Sequence, residues 1–574
     1  MVSAALALLA AVLGAPAGVE EDARPMLAAS QVGYGPAMDK QFTSPRPFTS
    51  FRVVSLERGE VAYRGKLPIR RVESEVLGPA ARVWIGDFSA LRRPGRYRIE
   101  ADNGLSSHPF SIGTRVFDPA VRAVQRAFYF QRAFTAIDPR HAEGPWTHPS
   151  DADRAPPGVV KGWHDAGDLT LYNASTTAAL FWMLEAFSDF APSADDTNIP
   201  ESGNGVPDLL DEARWGLEWL LSVQEPRTGG FRNTTCQERY APYGTVTPQS
   251  VPRYRQGEVG TLATARAVGT LAYASAVFRP IDPVFAQRCL QAARDGWGYL
   301  QAHPGESTDG PTCPNYRRDG DQGVLRHVTM YAAAGLLLAT GEARFREEFE
   351  RSYVELTFIP DYHQVNGFAA RLYLRAKAGD PGRKRAIRAR LRALADQANA
   401  DGARHPFEWA SYYYWGSLSN SFHRTGTFEA PLCLAGPRHS ADCRQALANV
   451  HYALGRNSLH FCYVSGLPGV EHGMRHGFHH WLQALGAAPR NFPGMVAGGP
   501  SEKPDANDRS WPDARPPSFG YWGDPKRPRG SETPVDARYT DNDSWSTNEI
   551  AVNFQAAALY GLYLAQALSR EGAR

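Results

Sequence analysis

The rhythm of apolar and polar positions changes near Asp118. From about Met26 to Ile112 it is strand-like, with short runs such as Phe51-Arg52-Val53-Val54, Arg82-Val83-Trp84-Ile85 and Tyr97-Arg98-Ile99. Turn pairs Arg58-Gly59, Pro94-Gly95 and Asn103-Gly104 part them. Short strands at this spacing predict a small antiparallel β-sandwich over residues 26–114, and it holds no cluster of potential catalytic groups. Asp118-Pro119 then reads as a helix N-cap with proline at the first helical position. Beyond it, apolar positions at three- and four-residue spacing predict helices over 119–132, 169–188, 207–224, 258–277, 283–301, 324–340, 342–355, 383–399, 441–454 and 550–568. No strands are expected between them, so residues 118–570 read as an all-α domain. Periodicity alone does not separate a closed helical barrel from an open solenoid. Long loops rich in Gly, Pro and aromatics (137–162, 225–257, 402–430 and 457–545) divide the helices, an arrangement in which helices hold and loops work.

Composition narrows the classes. A chain of 574 residues exceeds the usual size of one hydrophobic core, which agrees with two domains. Its 62 basic and 60 acidic residues leave a formal charge of +2, so neither a nucleic acid nor an anionic membrane is the expected partner. Met1 to Ala17 is Ala/Leu/Val-rich and ends Ala15-Pro16-Ala17, a small-x-small cleavage pattern. It reads as a signal peptide lacking a basic start, and places the protein in the periplasm or outside the cell. No later stretch reaches the length of a transmembrane helix. Six cysteines permit disulfides in an exported chain; Cys433 and Cys443 are the nearest pair, and connectivity otherwise stays open. No Cys-x-x-Cys occurs, which argues against a thiolate zinc site.

The chemistry concentrates in three stretches. Gly162-Trp163-His164-Asp165-Ala166-Gly167-Asp168 sets two carboxylates three residues apart, with small residues that allow a tight turn and leave space before both acids. Leu169, Tyr172, Thr176, Leu180, Met183, Leu184 and Phe187 follow at helical spacing, so the acids are expected at a helix start, where peptide dipoles favour the ionised form a general base needs. The plainer reading is a helix N-cap with a solvated second acid. Asp541 to Asn548 leads to Glu549, expected in the first turn of the last long helix, where a bland capping role competes with catalysis. His472-Gly473-Met474-Arg475-His476-Gly477-Phe478-His479-His480-Trp481 invites a metal, but Gly473 and Gly477 break any helix that would align the imidazoles and no carboxylate interleaves them. A polar, hydrogen-bonding loop is expected instead, with no metal ligands.

These segments together resemble glycoside hydrolase family 9, along essentially the whole mature chain. Ser30-Gln31-Val32-Gly33-Tyr34-Gly35-Pro36 is similar to the opening of the immunoglobulin-like module that often precedes its catalytic domain. Gly162 to Asp168 matches the family's Gly-Trp-Tyr-Asp-Ala-Gly-Asp with His164 in place of Tyr, and Glu201-Ser202-Gly203-Asn204-Gly205-Val206-Pro207-Asp208-Leu209-Leu210-Asp211-Glu212 is nearly verbatim its loop-to-helix signature. Tyr414-Trp415-Gly416-Ser417, Leu454-Gly455-Arg456-Asn457, Pro493-Gly494-Met495-Val496-Ala497-Gly498-Gly499-Pro500 and Thr547-Asn548-Glu549-Ile550-Ala551 follow in the family's order.

The resemblance implies an (α/α)6 barrel and an inverting hydrolase of β-1,4 bonds in cellulose-type glucans or oligosaccharides, of the endoglucanase or cellodextrinase kind. It implies Asp168 as base, Asp165 as a second holder of the attacking water, and Glu549 as acid, with carboxyls about 6.5–9.5 Å apart. Burial would keep Glu549 protonated near neutrality. Trp163, His164, Trp415, Arg475, His476, His479, His480, Trp481 and Trp545 become candidates for binding sugar, with Trp511 and Trp522 as further stacking platforms. The chain departs from the family at Trp481, where an Arg contacts substrate and where Arg475 or Arg490 would have to compensate. It departs also at Leu169 for Tyr, at Gln555 for Asn, and in a spacing from Asp541 to Trp545 shorter by one. Short oligosaccharides or a modified sugar are therefore expected over long cellulose. The alternatives are an exo-β-glucosaminidase acting on chito-oligosaccharides and a carbohydrate-binding protein that has lost turnover. The resemblance implies a monomer needing no cofactor, with a structural calcium admissible because family members often hold one.

Overall fold

The computed structural model describes residues 26–570 apart from 79–80, 143–145, 238–243, 245–246, 305–321, 358–364, 480–481, 483–490, 503–507, 509–533 and 542–543. Its first domain is two facing sheets. One orders β1 (Gly33–Tyr34), β8 (Phe110–Ile112), β7 (Gly95–Ala101), β3 (Ser50–Ser55) and β4 (Val61–Lys66). The other orders β2 (Gln41–Ser44), β6 (Arg82–Asp87) and β5 (Arg70–Glu73). Alternation along the strands turns one set of side chains inward, so Tyr34, Phe42, Phe51, Val53, Tyr97, Ile99 and Phe110 form one core between the sheets.

The second domain is a closed double ring of helices. Six inner members pack in cyclic order: α2 (Asn173–Phe190), α4 (Thr261–Phe278), α6 (Gln322–Thr340), α8 (Asn366–Arg375), α10 (Ser417–Arg424) with its π-helical continuation Thr425–Glu429, and α13 (Val552–Arg570), which returns to α2. Outside them, α3 (Asp208–Ser222) lies on α2, α5 (Pro283–Ala302) on α4, α7 (Ala343–Ser352) on α6, and α9 (Pro381–Arg404) on α8. Beside α13 lie α12 (Ala441–Ala453), which also touches α10, and α1 (Asp118–Phe130). This is an (α/α)6 barrel. Position in the ring explains composition. An inner helix has neighbours on every side, and α4 is buried at every residue from Thr261 to Ser275. The outer α9 buries only a stripe, Ile387, Leu391, Leu394, Ala395, Ala398 and Gly402, at helical spacing.

Several local expectations change. The helix expected from Leu169 begins at Asn173, because Leu171–Tyr172 (β9) pairs antiparallel with Thr234 and Thr235 of β11 (Thr234–Gln237), a contact no local pattern carries. Short strands do intervene among the helices: β11 also pairs with β12 (Tyr254–Gln256), and β10 (Phe231–Arg232) pairs with β13 (Val259–Gly260). The stretch expected as loop 402–430 contains α10 and the π-helical turn, followed by α11 (Ala430–Ala435). Asp118 lies inside the first turn of α1 rather than capping it, and accepts from Arg115 and Arg570 at 2.8 Å each. Cys433 and Cys443 form a disulfide.

Candidate active site

Backbone pairing carries the Gly162–Asp168 segment to the mouth of the ring. Ala133 N–H donates to Gly162 O at 2.8 Å and His164 N–H to Gln131 O at 2.8 Å, tying the segment to the end of α1. Asp165 N–H donates to Thr170 O at 2.9 Å, closing the turn that holds both acids. Asp165 O in turn accepts from Val552 N–H at 2.8 Å, which satisfies a donor otherwise orphaned at the N-terminus of α13. Neither acid is a helix cap: Asp168 precedes Asn173 by a β-strand, and the dipole argument made from sequence does not apply to it.

Glu549 reaches the same place from the far end of the chain. It lies in an extended segment ahead of α13, bridged to Phe478 and holding Gly498 N–H on its carbonyl at 2.9 Å, so the helix-capping reading fails on geometry. Its Oε1 accepts from Gly167 N–H at 3.2 Å. Gly167 has to be glycine, since a β-carbon there would stand 2.3 Å from the Phe478 ring and 3.0 Å from Glu549 Oε1. Tyr172 O–H donates to Asp168 Oδ2 at 3.0 Å and orients that carboxylate. Burial, then the nearby Asp168, push the Glu549 carboxyl well above the usual range; burial and Asp168 do the same to Asp165. A carboxyl shifted this way toward its protonated form suits general acid work.

The binding candidates divide. Trp163 is fully buried, its indole N–H donating to Glu212 Oε1 at 2.7 Å, so it anchors the acid turn to α3 and stacks on no sugar. Glu212 is shared with Arg132, which it meets at 2.8 Å. His164 is also fully buried, its Nε2 3.6 Å from Asp151 Oδ2, and serves the turn rather than substrate. His479 is buried against Phe492 and offers no surface to a ligand. His480, Trp481, Arg490, Trp511 and Trp522 lie outside the described residues. Arg475 is exposed and His476 half-buried, and their backbone N–H groups donate to the Asp541 carboxylate at 2.9 and 3.1 Å. Trp545 is half-buried with its ring edge-on to Phe478 at 5.9 Å. Trp415 stays 37% exposed, beside Tyr414 at 61%. It precedes Gly416, whose β-carbon position is 2.8 Å from the Phe554 ring, and Leu418 N–H donates to Gly498 O at 3.0 Å, one hydrogen bond from the Glu549 backbone.

Sequence reasoning missed Tyr172, Phe478 as the wall before Gly167, and Asp541 as the anchor of the loop at Arg475. The first stands four residues after Asp168, a spacing that reads as the buried stripe of a helix. Gln555, a departure from the family, is a fitted structural residue: its Nε2 donates to Val124 O at 2.9 Å and to Gly494 O, while Oε1 accepts from Val496 N–H at 3.1 Å.

With three acids converging across the barrel mouth, comparison with known proteins decides the family. The profile described as glycosyl hydrolase family 9 matches residues 117–562, and that of the cellulase N-terminal Ig-like domain matches residues 22–106. The chain belongs to glycosyl hydrolase family 9. As a family 9 protein it is a cellulase-like glycoside hydrolase. It is 29% identical over 517 residues to a xyloglucan-specific endo-β-1,4-glucanase of Bacteroides ovatus, covering 82% of each chain. To a cellodextrinase of Butyrivibrio fibrisolvens it is 24% identical, covering 83% of this chain and 89% of the other. A solved structure of a metagenome-derived family 9 endoglucanase superposes with a TM-score of 0.80 at 27% identity, covering 95% of this chain and 99% of that one.

A second acidic group stands at the Glu201–Glu212 signature. Asp195, Asp208 and Asp211 bring one carboxylate oxygen each within 4.8 Å of one another. Asp195 accepts from Gly203 N–H at 2.6 Å and Gly205 N–H at 2.7 Å. Asp208 Oδ2 accepts from Thr197 N–H and Oγ1 at 2.6 Å each, while its Oδ1 is buried without a hydrogen-bond partner. Burial, with Glu201, Asp208 and Asp195 behind it, pushes Asp211 up to about 6.

Proposed function

We propose that this family 9 enzyme hydrolyses β-1,4 bonds in cellulose-type glucans and their oligosaccharides with inversion, Asp168 acting as base, Asp165 as the second holder of the water and Glu549 as acid. The observation that carries the reading is the meeting of Glu549 with the Gly167 backbone beside Asp168, where burial and then Asp168 raise the Glu549 carboxyl toward the protonated form that a general acid needs. An intact set of acids argues against a binding protein without turnover. A panel of cello-, xyloglucan- and chito-oligosaccharides, with NMR detection of the first anomer released, tests it. The α-anomer from β-1,4-glucans is expected; cleavage confined to chito-oligosaccharides would support the glucosaminidase alternative. The Ala/Leu/Val-rich start and the Cys433–Cys443 disulfide support an exported enzyme, and no helix among the described residues is long and apolar enough to cross a membrane.

Trp415 is exposed, and the helix after it is tied through Leu418 and Gly498 to the Glu549 backbone; stacking there contributes about 0.5–1.5 kcal/mol. Trp415→Ala is expected to raise KM for oligosaccharides roughly 2- to 12-fold at unchanged kcat. A kcat loss with constant KM would remove Trp415 from the binding surface.

We further propose that Asp195, Asp208 and Asp211 hold a structural calcium. The donors are all oxygens, the kind this hard cation takes, and it would occupy the side of Asp208 that lacks a partner. A proton competes with calcium for Asp211, so stabilisation by calcium is present at pH 7.5, where that carboxyl is already ionised, and weakens as pH falls below about 6. Thermal denaturation is the check: chelation at pH 7.5 is expected to lower Tm by several degrees, and calcium to restore it. Identical melting with chelator and with millimolar calcium would remove the site.

A further inference from the structure

We propose that Gln31, in the β-sandwich domain, is a positioning residue for the catalytic acid, fixing the loop that carries the wall of the cleft beside Glu549. The inference rests on Glu549 being that acid. Gln31 is buried at the domain junction, and its amide is saturated. Nε2 donates to His460 O at 2.8 Å and to His472 O at 2.6 Å; Oε1 accepts from Glu471 N–H at 3.1 Å and His472 N–H at 3.0 Å. A side-chain amide offers two donors and two acceptor sites, and here all four are used on the other domain, three of them on Glu471 and His472 and one on His460. The backbone N–H of Gln31 adds a bond to Leu454 O at 2.8 Å.

The gripped segment has no helix to stiffen it. From His472 it runs through Met474, whose N–H donates to Cys462 O at 3.0 Å, to Arg475 and His476, held by Asp541. Asn548 Nδ2 donates to His476 O, and Phe478 N–H donates back to Asn548 O at 3.3 Å. Phe478 then pairs with Glu549 and closes on Gly167. Residues 472–478 are thus held by backbone pairing with Cys462 and by two side-chain anchors, Gln31 at one end and Asp541 with Asn548 at the other. Releasing the first strips the Glu471 and His472 amides of their acceptor and His460 O and His472 O of one donor each, so the loop relaxes and Phe478 and Glu549 move with it. The Ser30-Gln31-Val32-Gly33-Tyr34 segment thereby gains a role in the reaction carried out by the other domain.

Gln31→Met keeps the length of the side chain and removes all four bonds; Gln31→Asn keeps the amide but withdraws it by one methylene. Arg70→Ala is the control, since Arg70 bridges the same two domains to Glu408 at 2.7 Å and touches none of the 472–478 loop. In the full-length enzyme, well below each variant's Tm, Gln31→Met is expected to lower kcat roughly tenfold on unactivated oligosaccharides, because misplacement of a catalytic group by an ångström costs up to ~100-fold. KM is expected to stay within about twofold and nitrophenyl glycosides to lose much less, with Gln31→Asn following the same pattern more weakly. Arg70→Ala is expected to lower Tm and leave kcat unchanged. Equal kcat losses on both substrate types, or a lowered Tm with kcat intact, would overturn the positioning role. Glu549→Gln measured alongside separates the failures: without its own selective loss on unactivated substrates the acid assignment falls, and with that loss but none in Gln31→Met the positioning role falls.

Discussion

Glu549→Gln is expected to lower kcat on unactivated β-glucan oligosaccharides by roughly 10²–10⁴, the usual worth of general acid assistance. Nitrophenyl glycosides, whose leaving groups need little protonation, are expected to lose far less. The pH profile follows from the same carboxyl. Only its protonated form donates, and burial with the neighbouring Asp168 raises it well above the carboxylate range, so the alkaline limb of wild-type activity is expected well above an ordinary Glu titration. Stability shows the opposite side of this shift. A folded pKa raised above the unfolded one contributes stability that is fully present below the unfolded value, about 4.3, and is lost as pH rises through the folded value. The amide introduced by Glu549→Gln does not ionise, so the variant is expected to melt with wild type near pH 4 and above it at pH 8. Differential scanning calorimetry at both pH values checks this. Equal activity losses on both substrate classes, with no gain in Tm at pH 8, would make Glu549 a structural residue.

Asp168→Asn is expected to remove a comparable factor, roughly 10²–10⁴, but evenly across leaving groups, because activating the water is independent of what departs. Tyr172, which donates to Asp168 Oδ2, still has an amide oxygen to bond, so folding is expected to be intact. Azide, a nucleophile that needs no base, is expected to restore turnover in this variant, and the sugar product to be the α-azide. Retained configuration in the wild-type product, or a loss under about tenfold, would take the base role away from Asp168.

Both roles depend on groups far apart along the chain, and the elements differ in how far local pattern reveals them. The strands Ser50–Ser55 and Gly95–Ala101 alternate visibly because one face meets the core. Helix α4 is apolar throughout because the inner ring surrounds it, and its existence is plain from the pattern while its neighbours are not. The helix after Asp168 starts later than its periodicity predicts, because Leu171 and Tyr172 are claimed by a strand that follows Asn233. Helix α10 falls in a stretch whose pattern predicts loop: Gly416 begins it in a left-handed conformation and a π-helical turn through Gly426 continues it, so no regular 3.6-residue stripe marks it.

The site is legible in the sequence as chemistry and not as placement. Trp163 and Trp415 are the same residue type in equally distinctive motifs, yet one is sealed against Glu212 and the other faces outward. His164 and His479 read as polar groups of a binding loop and lie buried, where Asp151 and Phe492 meet them. By itself the amino-acid order determined the two domain classes and the helical majority and marked out Asp165, Asp168 and Glu549 as candidates, because periodicity and motif are properties of neighbouring residues. Only the tertiary structure decided that Gly167 and Glu549, 382 positions apart, share a hydrogen bond, and that Gln31 reaches across 441 positions to hold the loop beside them. Such contacts depend on closure of the helical ring and docking of the sandwich, which bring together segments whose local patterns carry no record of each other.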